Sequence, residues 1–104
     1  MDTLARLEAT ITQRLGASPE HSYVAQLHAK GLARIAQKLG EEATEAIIAA
    51  LAGDEAELVG EAADVLFHLI VLLAEKGVRL EQVLAEIERR EGTSGLAEKA
   101  ARSQ

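Results

Sequence analysis

The sequence predicts an all-α fold, an antiparallel helical bundle of four main helices with a short helical tail at the C-terminus. Three observations lead there. Apolar residues recur at three- and four-residue spacings along almost the whole chain. Strand and turn formers are scarce, with one Pro, one Phe, one Tyr and no Trp. The interruptions fall at Gly, Ser and Asp clusters of the kind that begin and end helices.

The first helix is expected over residues 3 to 15, where Leu4, Leu7, Ile11 and Leu15 share a face, and GASPEHS then breaks the pattern with the sole proline, Pro19. A long second helix is expected from Tyr23 to Ala52, carried by Leu27, Leu32, Ile35, Leu39, Ala43, Ile47 and Leu51. Gly31 and Gly40 lie inside it, each costing about 1 kcal/mol relative to Ala, and predict close packing or a slight bend. Gly53 and Asp54 end this helix and cap the next, with Glu57 three residues on as in a capping box. The third helix is expected from Glu55 to Lys76 and stops at Gly77. LEQVLAEIERR then forms a fourth helix with Leu80, Val83, Leu84 and Ile87 on one face. The tail EGTSGLAEKAARSQ begins with turn residues and finishes in a basic, helix-competent segment; no internal repeat or low-complexity block interrupts the chain.

At 104 residues the chain is one small domain with a single core, a size at which oligomerisation adds needed burial. Its 48% hydrophobic and 27% charged residues exclude a disordered chain. The net charge of −6 argues against a general nucleic-acid binder, since phosphate neutralisation needs a basic surface. Zero cysteines exclude disulfides and thiolate metal sites, and MDTLARLEAT lacks the basic-then-apolar order of a signal peptide. The apolar run VLFHLIVLLA is too short to span a bilayer and contains His68. A soluble cytoplasmic protein with no membrane partner is expected. Residues 66 to 73 are apolar all round except for His68, more than a lone helical hairpin buries, so a homodimer or higher homo-oligomer is expected to complete the bundle.

The informative charges lie in KLGEEATEAI, where Glu41, Glu42 and Glu45 have no base four residues on: those positions hold Glu45, Ala46 and Ala49. A second acidic pair, Glu61 and Asp64, repeats the three-residue offset of Glu42 and Glu45 on the next helix. Gly53 lies midway between Glu45 and Glu61, and also midway between Glu42 and Asp64. In an antiparallel hairpin turning there, each pair meets at one height, roughly 12 to 17 Å from the turn at about 1.5 Å per residue. Four carboxylates converging beside an apolar helix are strongly unfavourable unless protonated or bridged by a cation. With 17 acidic residues one such spacing is expected by chance, but two placed symmetrically about a turn point to a metal site. An all-oxygen set suits Mg²⁺, or Mn²⁺ in its place, and Mg²⁺ characteristically shares its shell between carboxylates and substrate phosphates. The chemistry this suggests is cleavage of a phosphoanhydride.

The order EE-x-x-E, fifteen residues, then E-x-x-D resembles the signature of the all-α nucleotide pyrophosphohydrolases of the MazG-like superfamily. SYVAQLHAKGLARIAQKLGEEATE, EAADVLFHLIVLL and LAEIERREGTSGLAEKAAR together resemble its phosphoribosyl-ATP pyrophosphatase branch, a similarity covering residues 3 to 102. The resemblance implies hydrolysis of 1-(5-phosphoribosyl)-ATP to 1-(5-phosphoribosyl)-AMP and diphosphate, the second step of histidine biosynthesis, with Mg²⁺ in a helical homodimer or larger assembly. By position it implies Glu42, Glu45, Glu61 and Asp64 as metal ligands. Glu41 is either a water-orienting acid behind them or surface charge. In-line attack of a metal-positioned water would be helped by neutralisation of the developing phosphate charge.

So anionic a substrate also needs basic groups. Lys38, one turn before Glu42, is expected to contact phosphate, to pair with Glu42, or both. Lys99 and Arg102 match the branch's EKA-x-R and are expected at phosphate in preference to a purely solubilising role. Arg89 and Arg90 either stabilise the end of the fourth helix through its dipole or clamp the ribose phosphate. His68 reads as a hydrogen-bonded core or interface histidine rather than a ligand. Ser22 and Tyr23 either shape the pocket or pack a loop; His21 and His28 have no constellation around them. Glu91, where the branch commonly has His or an aromatic, and Gly60, where a larger residue is common, depart from its pattern. Two other functions fit less well: a housecleaning pyrophosphatase of dUTP, dCTP or damaged nucleotides, which needs more aromatic residues than Tyr23 and Phe67 to stack a base, and a non-catalytic helical dimerisation module.

Overall fold

The computed structural model describes residues 2–92 and 94–102. Its regular elements are all helical: α1 (Thr3–Arg14), α2 (Tyr23–Lys30), α3 (Leu32–Ala52), α4 (Glu55–Glu75), α5 (Leu80–Arg90) and α6 (Gly95–Arg102). Helix starts coincide with short polar side chains that satisfy otherwise orphaned amides. Asp2 accepts from Ala5 N at 2.8 Å, Ser22 from Ala25 N at 3.2 Å, Asp54 from Glu57 N at 3.0 Å and Ser94 from Ala97 N at 3.1 Å. α5 is capped from elsewhere in the fold. Glu8 of α1 accepts from Leu80 N at 2.6 Å, and this bond is the main reason its carboxyl lies below the usual carboxylate range.

Six helices stand where four and a tail were expected, because the segment from Tyr23 to Ala52 is two elements and the tail forms α6. The break is at Gly31, which adopts φ +99°, ends α2 by donating to the Leu27 and His28 carbonyls, and precedes α3. Apolar spacing runs across this point almost unchanged, so periodicity alone hides it. Gly40, by contrast, lies inside α3 without interrupting it.

α3 and α4 form the central antiparallel hairpin and make the heaviest packing in the molecule, with α1 laid on α4 and α2 on α3. Gly53 turns the chain in the left-handed region at φ +81°, as the sequence requires, and Asp54 starts α4. Counting back across the turn puts His68 level with about residue 38. A straight helix from residue 23 would carry Tyr23 about fifteen residues, or about 22 Å, beyond that level. The turn at Gly31 brings it back, so that Tyr23 Oη lies 2.9 Å from His68 Nε2.

The core sits at the end of the hairpin remote from its turn, where Ile11, Val24, Leu27, Ile35, Ile70 and Val71 are buried against one another. Much of the apolar run after Leu66 is therefore covered within the chain by α1 and α2. Bare apolar surface lies nearer the turn, where Ile47, Ile48, Leu51 and Val59 are exposed, Leu51 to 85%, and also on α5 and α6 at Leu84, Ile87 and Leu96. The chain exposes 7140 Å² in all, against about 5,700 Å² for a compact monomer of its mass. Its radius of gyration, 15.8 Å, likewise exceeds the about 13 Å of a compact domain this long.

Replacing Gly31 with Ala tests the break. No atom lies within 4 Å of a Cβ built there, so the cost is conformational. Gly31→Ala is expected to lower unfolding free energy by about 1–2 kcal/mol in urea titrations, with unchanged helical circular dichroism.

Candidate active site

The register of the hairpin brings Glu42 and Glu45 of α3 to Glu61 of α4. One carboxylate oxygen from each lies within 4.8 Å of the others, with Glu42 only 6% exposed, Glu61 half-buried and Glu45 exposed. Burial raises the Glu61 carboxyl above its usual value, and the Glu45, Glu42 and Asp64 charges push the same way, as does a hydrogen bond shared with Glu45. Glu61 Oε2 is buried with no hydrogen-bond partner among the described residues. A buried, unpartnered carboxylate oxygen facing two other carboxylates is a donor set suited to a hard divalent cation. Asp64, the fourth expected member, is exposed and outside the 4.8 Å group, although its charge acts on Glu61 and Tyr23.

Glu41 does not join the trio. Helical side chains lean toward the N-terminus, and this one meets bases that precede it. Its oxygens lie 3.5 Å from Arg34 Nη1 and 3.6 Å from Lys38 Nζ, while Lys38 Nζ lies 3.2 Å from Glu42 Oε1. Glu41 and Glu42 thus have basic partners one and two turns upstream, which a search four residues downstream passes over. The hydrogen bond to Glu42 is the chief reason the Lys38 ammonium holds its proton above the usual lysine range.

Tyr23, Phe67 and His68 close the site on the core side. The Tyr23 and Phe67 rings stack with centroids 6.1 Å apart, and both meet His68 edge-on. His68 is buried, and its Nδ1 lies 2.7 Å from the Asp64 carbonyl oxygen. A carbonyl only accepts, so Nδ1 carries the proton and Nε2 accepts from the Tyr23 hydroxyl. His68 is thereby a hydrogen-bonded core histidine, as the sequence suggests, with both ring nitrogens engaged away from the acids. Burial raises the Tyr23 hydroxyl, Lys38 and Arg34 pull it down, and Glu42 and Asp64 push it up, so all five side chains share one neighbourhood.

Arg89 is occupied elsewhere. It donates from Nε and Nη2 to Glu86 and from Nη2 to Glu98 of α6 at 2.8 Å, with Arg90 Nε 3.1 Å from Glu86. These arginines push the Glu86 carboxyl down to about 2. Lys99 and Arg102 lie exposed on α6. A groove of about 330 Å³ opens beside the acids, lined by Glu45, Ile48, Ala49, Ala52, Glu57 and Glu61. Arg34 and Glu57 are the two neighbours of the site that motif spacing leaves out. For Arg34 the signal was present, since it stands one helical turn before Lys38.

A helical hairpin that sets Glu42 and Glu45 against Glu61, with a lysine at its edge, is the arrangement that the resemblance to the all-α nucleotide pyrophosphohydrolases implies. Residues 4–91 match the family model described as phosphoribosyl-ATP pyrophosphohydrolase. The chain is 68% identical over 102 residues to the phosphoribosyl-ATP pyrophosphatase of Novosphingobium aromaticivorans, covering 98% of this chain and 95% of that one. It is 65% identical over 102 residues to the like-named protein of Erythrobacter litoralis, covering 98% of each chain. For that of Dinoroseobacter shibae the identity is 61% over 102 residues, covering 98% of this chain and all of the other. The chain belongs to the phosphoribosyl-ATP pyrophosphohydrolase family.

The raised Glu61 carboxyl predicts a pH dependence. The folded metal-free chain holds this proton more tightly than the unfolded chain, so the contribution of Glu61 to stability is fully present below the ordinary glutamate value of 4.5 and is lost as pH rises through the raised one. In chelator-treated protein, urea unfolding across that window is expected to show this loss. Glu61→Gln is expected to flatten it and to be the more stable protein at neutral pH.

Proposed function

We propose that this chain hydrolyses 1-(5-phosphoribosyl)-ATP to 1-(5-phosphoribosyl)-AMP and diphosphate, the second step of histidine biosynthesis, at a Mg²⁺ site held by Glu42, Glu45, Glu61 and Asp64. Membership of the family supports the reaction. The observation that carries the site is the trio of carboxylate oxygens within 4.8 Å, one residue of which buries an oxygen without a partner. Conversion of a triphosphate to a monophosphate and diphosphate breaks the bond between the α and β phosphates, and water supplies the oxygen that replaces it. A bound Mg²⁺ supplies neutralisation of phosphate charge and a water of lowered pKa.

The chain's own groups do the rest. Glu42, Glu45 and Glu61 would hold the metal from two helices, with Asp64 as the further carboxylate of the set. Lys38 turns from Glu42 to the phosphate oxygens as substrate enters. The groove beside Glu45 and Glu61 receives part of the substrate and limits water around the reacting bond. Arg89, Lys99 and Arg102 are offered as further phosphate contacts. For Arg89 this requires exchange of its Glu98 partner for phosphate, a like-for-like replacement of one oxyanion by another.

Two copies of the chain are proposed to form the working assembly. The bare stripe of Ile47, Ile48, Leu51 and Val59 continues the apolar face of the hairpin past the point where α1 and α2 stop covering it. The surface in excess of a compact monomer has the size that a second copy would bury. Light scattering after gel filtration is expected to give a dimer mass or a multiple of it, and Leu51→Glu to shift it to the monomer.

Released diphosphate, measured with Mg²⁺ and phosphoribosyl-ATP, dUTP or dCTP, tests the reaction. Preference for phosphoribosyl-ATP is expected; preference for either deoxynucleotide would overturn the substrate. Glu45→Gln and Asp64→Asn are each expected to reduce turnover by about 100-fold or more with helical content unchanged. An active variant would remove that residue from the ligand set.

A further inference from the structure

Resting on that reading of the site, we propose that Arg34 is a substrate-binding residue that takes the polyphosphate beside Lys38, and that Glu41 is its placeholder rather than a metal ligand. Arg34, Lys38 and Glu42 follow one another at one-turn intervals on α3, so cations and carboxylates occupy successive stretches of a single helix face. A polyphosphate anchored through metal at the acidic end has its remaining charge directed along this stripe. Lys38 meets it first and Arg34 next.

The guanidinium is held loosely. Its one ion pair among the described residues is a single contact from Nη1 to Glu41 Oε1, at 3.5 Å the long limit of a hydrogen bond. Arg89, in comparison, is bound by two carboxylates at 2.7 and 2.8 Å. Arginine offers five N–H donors in a planar fork suited to two oxygens of one phosphate, and Arg34 leaves most of them for a ligand. It faces the site and not bulk solvent alone, since it acts on the Tyr23 hydroxyl together with Lys38, Glu42 and Asp64. Its side chain is 36% exposed, open enough for an anion to reach and shielded enough for the contact to matter.

Glu41 then has a physical role. In the absence of substrate, Arg34 and Lys38 lie close together and repel, and Glu41 bridges them, with one oxygen near each. Phosphate supplies the same bridge with more charge. Glu41 competes with substrate for the two bases and contributes nothing to the metal.

The test uses the full chain with Mg²⁺, measuring kcat and KM for phosphoribosyl-ATP, calorimetric affinity for Mg²⁺ alone, and calorimetric affinity for inorganic diphosphate with Mg²⁺. Arg34→Gln is expected to raise KM and the diphosphate Kd about tenfold while leaving Mg²⁺ affinity and thermal melting unchanged, and Arg34→Lys to recover part of the loss. Glu41→Gln is expected to leave Mg²⁺ affinity intact and KM equal or lower. Unchanged KM and diphosphate Kd in Arg34→Gln would overturn the proposal, as would loss of Mg²⁺ binding in Glu41→Gln. Glu61→Gln separates the two levels of inference: if it keeps full turnover the metal site itself is wrong, whereas if it fails while Arg34→Gln behaves as wild type only the role of Arg34 falls.

Discussion

The constraint on which the rest of the structure depends is the register between α3 and α4. Like charges are brought within 4.8 Å only because the left-handed Gly53 and the Asp54 cap fix where one helix stops and the next begins. A residue added or lost at this turn would rotate one helix by about 100° relative to the other and separate the acids. The repulsion the hairpin tolerates is held by packing at its far end, where Ile35 of α3 and Ile70 and Val71 of α4 are almost wholly inaccessible. The site is therefore stabilised in part from a distance, by apolar packing at the far end of the hairpin.

That division of the hairpin into a packed end and a bare end also explains its surface. α1 and α2 are too short to cover both ends, and they cover the one that carries His68 and Val71. The acids lie between a closed core and a naked apolar stripe, so whatever covers the stripe also sets how open the neighbouring groove is to solvent. Burial in the core and openness at the groove are not in conflict, because they fall on different turns of the same two helices.

Much of this was legible from residue types and spacing. Gly53 as the turn, Asp54 as the cap and the meeting of Glu42, Glu45 and Glu61 follow from counting, since helical rise is uniform and the turn chemistry is specific. The role of His68 followed from its apolar neighbours. Three features were hidden for identifiable reasons. Gly31 breaks the helix without breaking apolar periodicity, and only its backbone angle reveals it. The pairing of Lys38 with Glu42 was among the expectations, but Arg34 lies two turns before Glu41, and a rule that looks forward for a base misses it. Arg89 was read either as a cation at the helix end or as a phosphate clamp, and neither reading includes Glu98, which α6 brings to it from outside any local pattern around α5.

The turn at Gly31 separates two properties that a single long helix would tie together. The carboxylates belong to α3 and α4, and their spacing is set at Gly53; the aromatic wall depends on Tyr23, which belongs to α2 and reaches α4 only because the chain folds back. The two are joined through Gly31, the packing of α2 on α3, and the contacts of Tyr23 with Phe67 and His68. Changes in the α1–α2 connection or in α2 can thus move the aromatic wall while the acids keep their places, so the neighbourhood of the acids has one part free to vary and another fixed by the register of the hairpin.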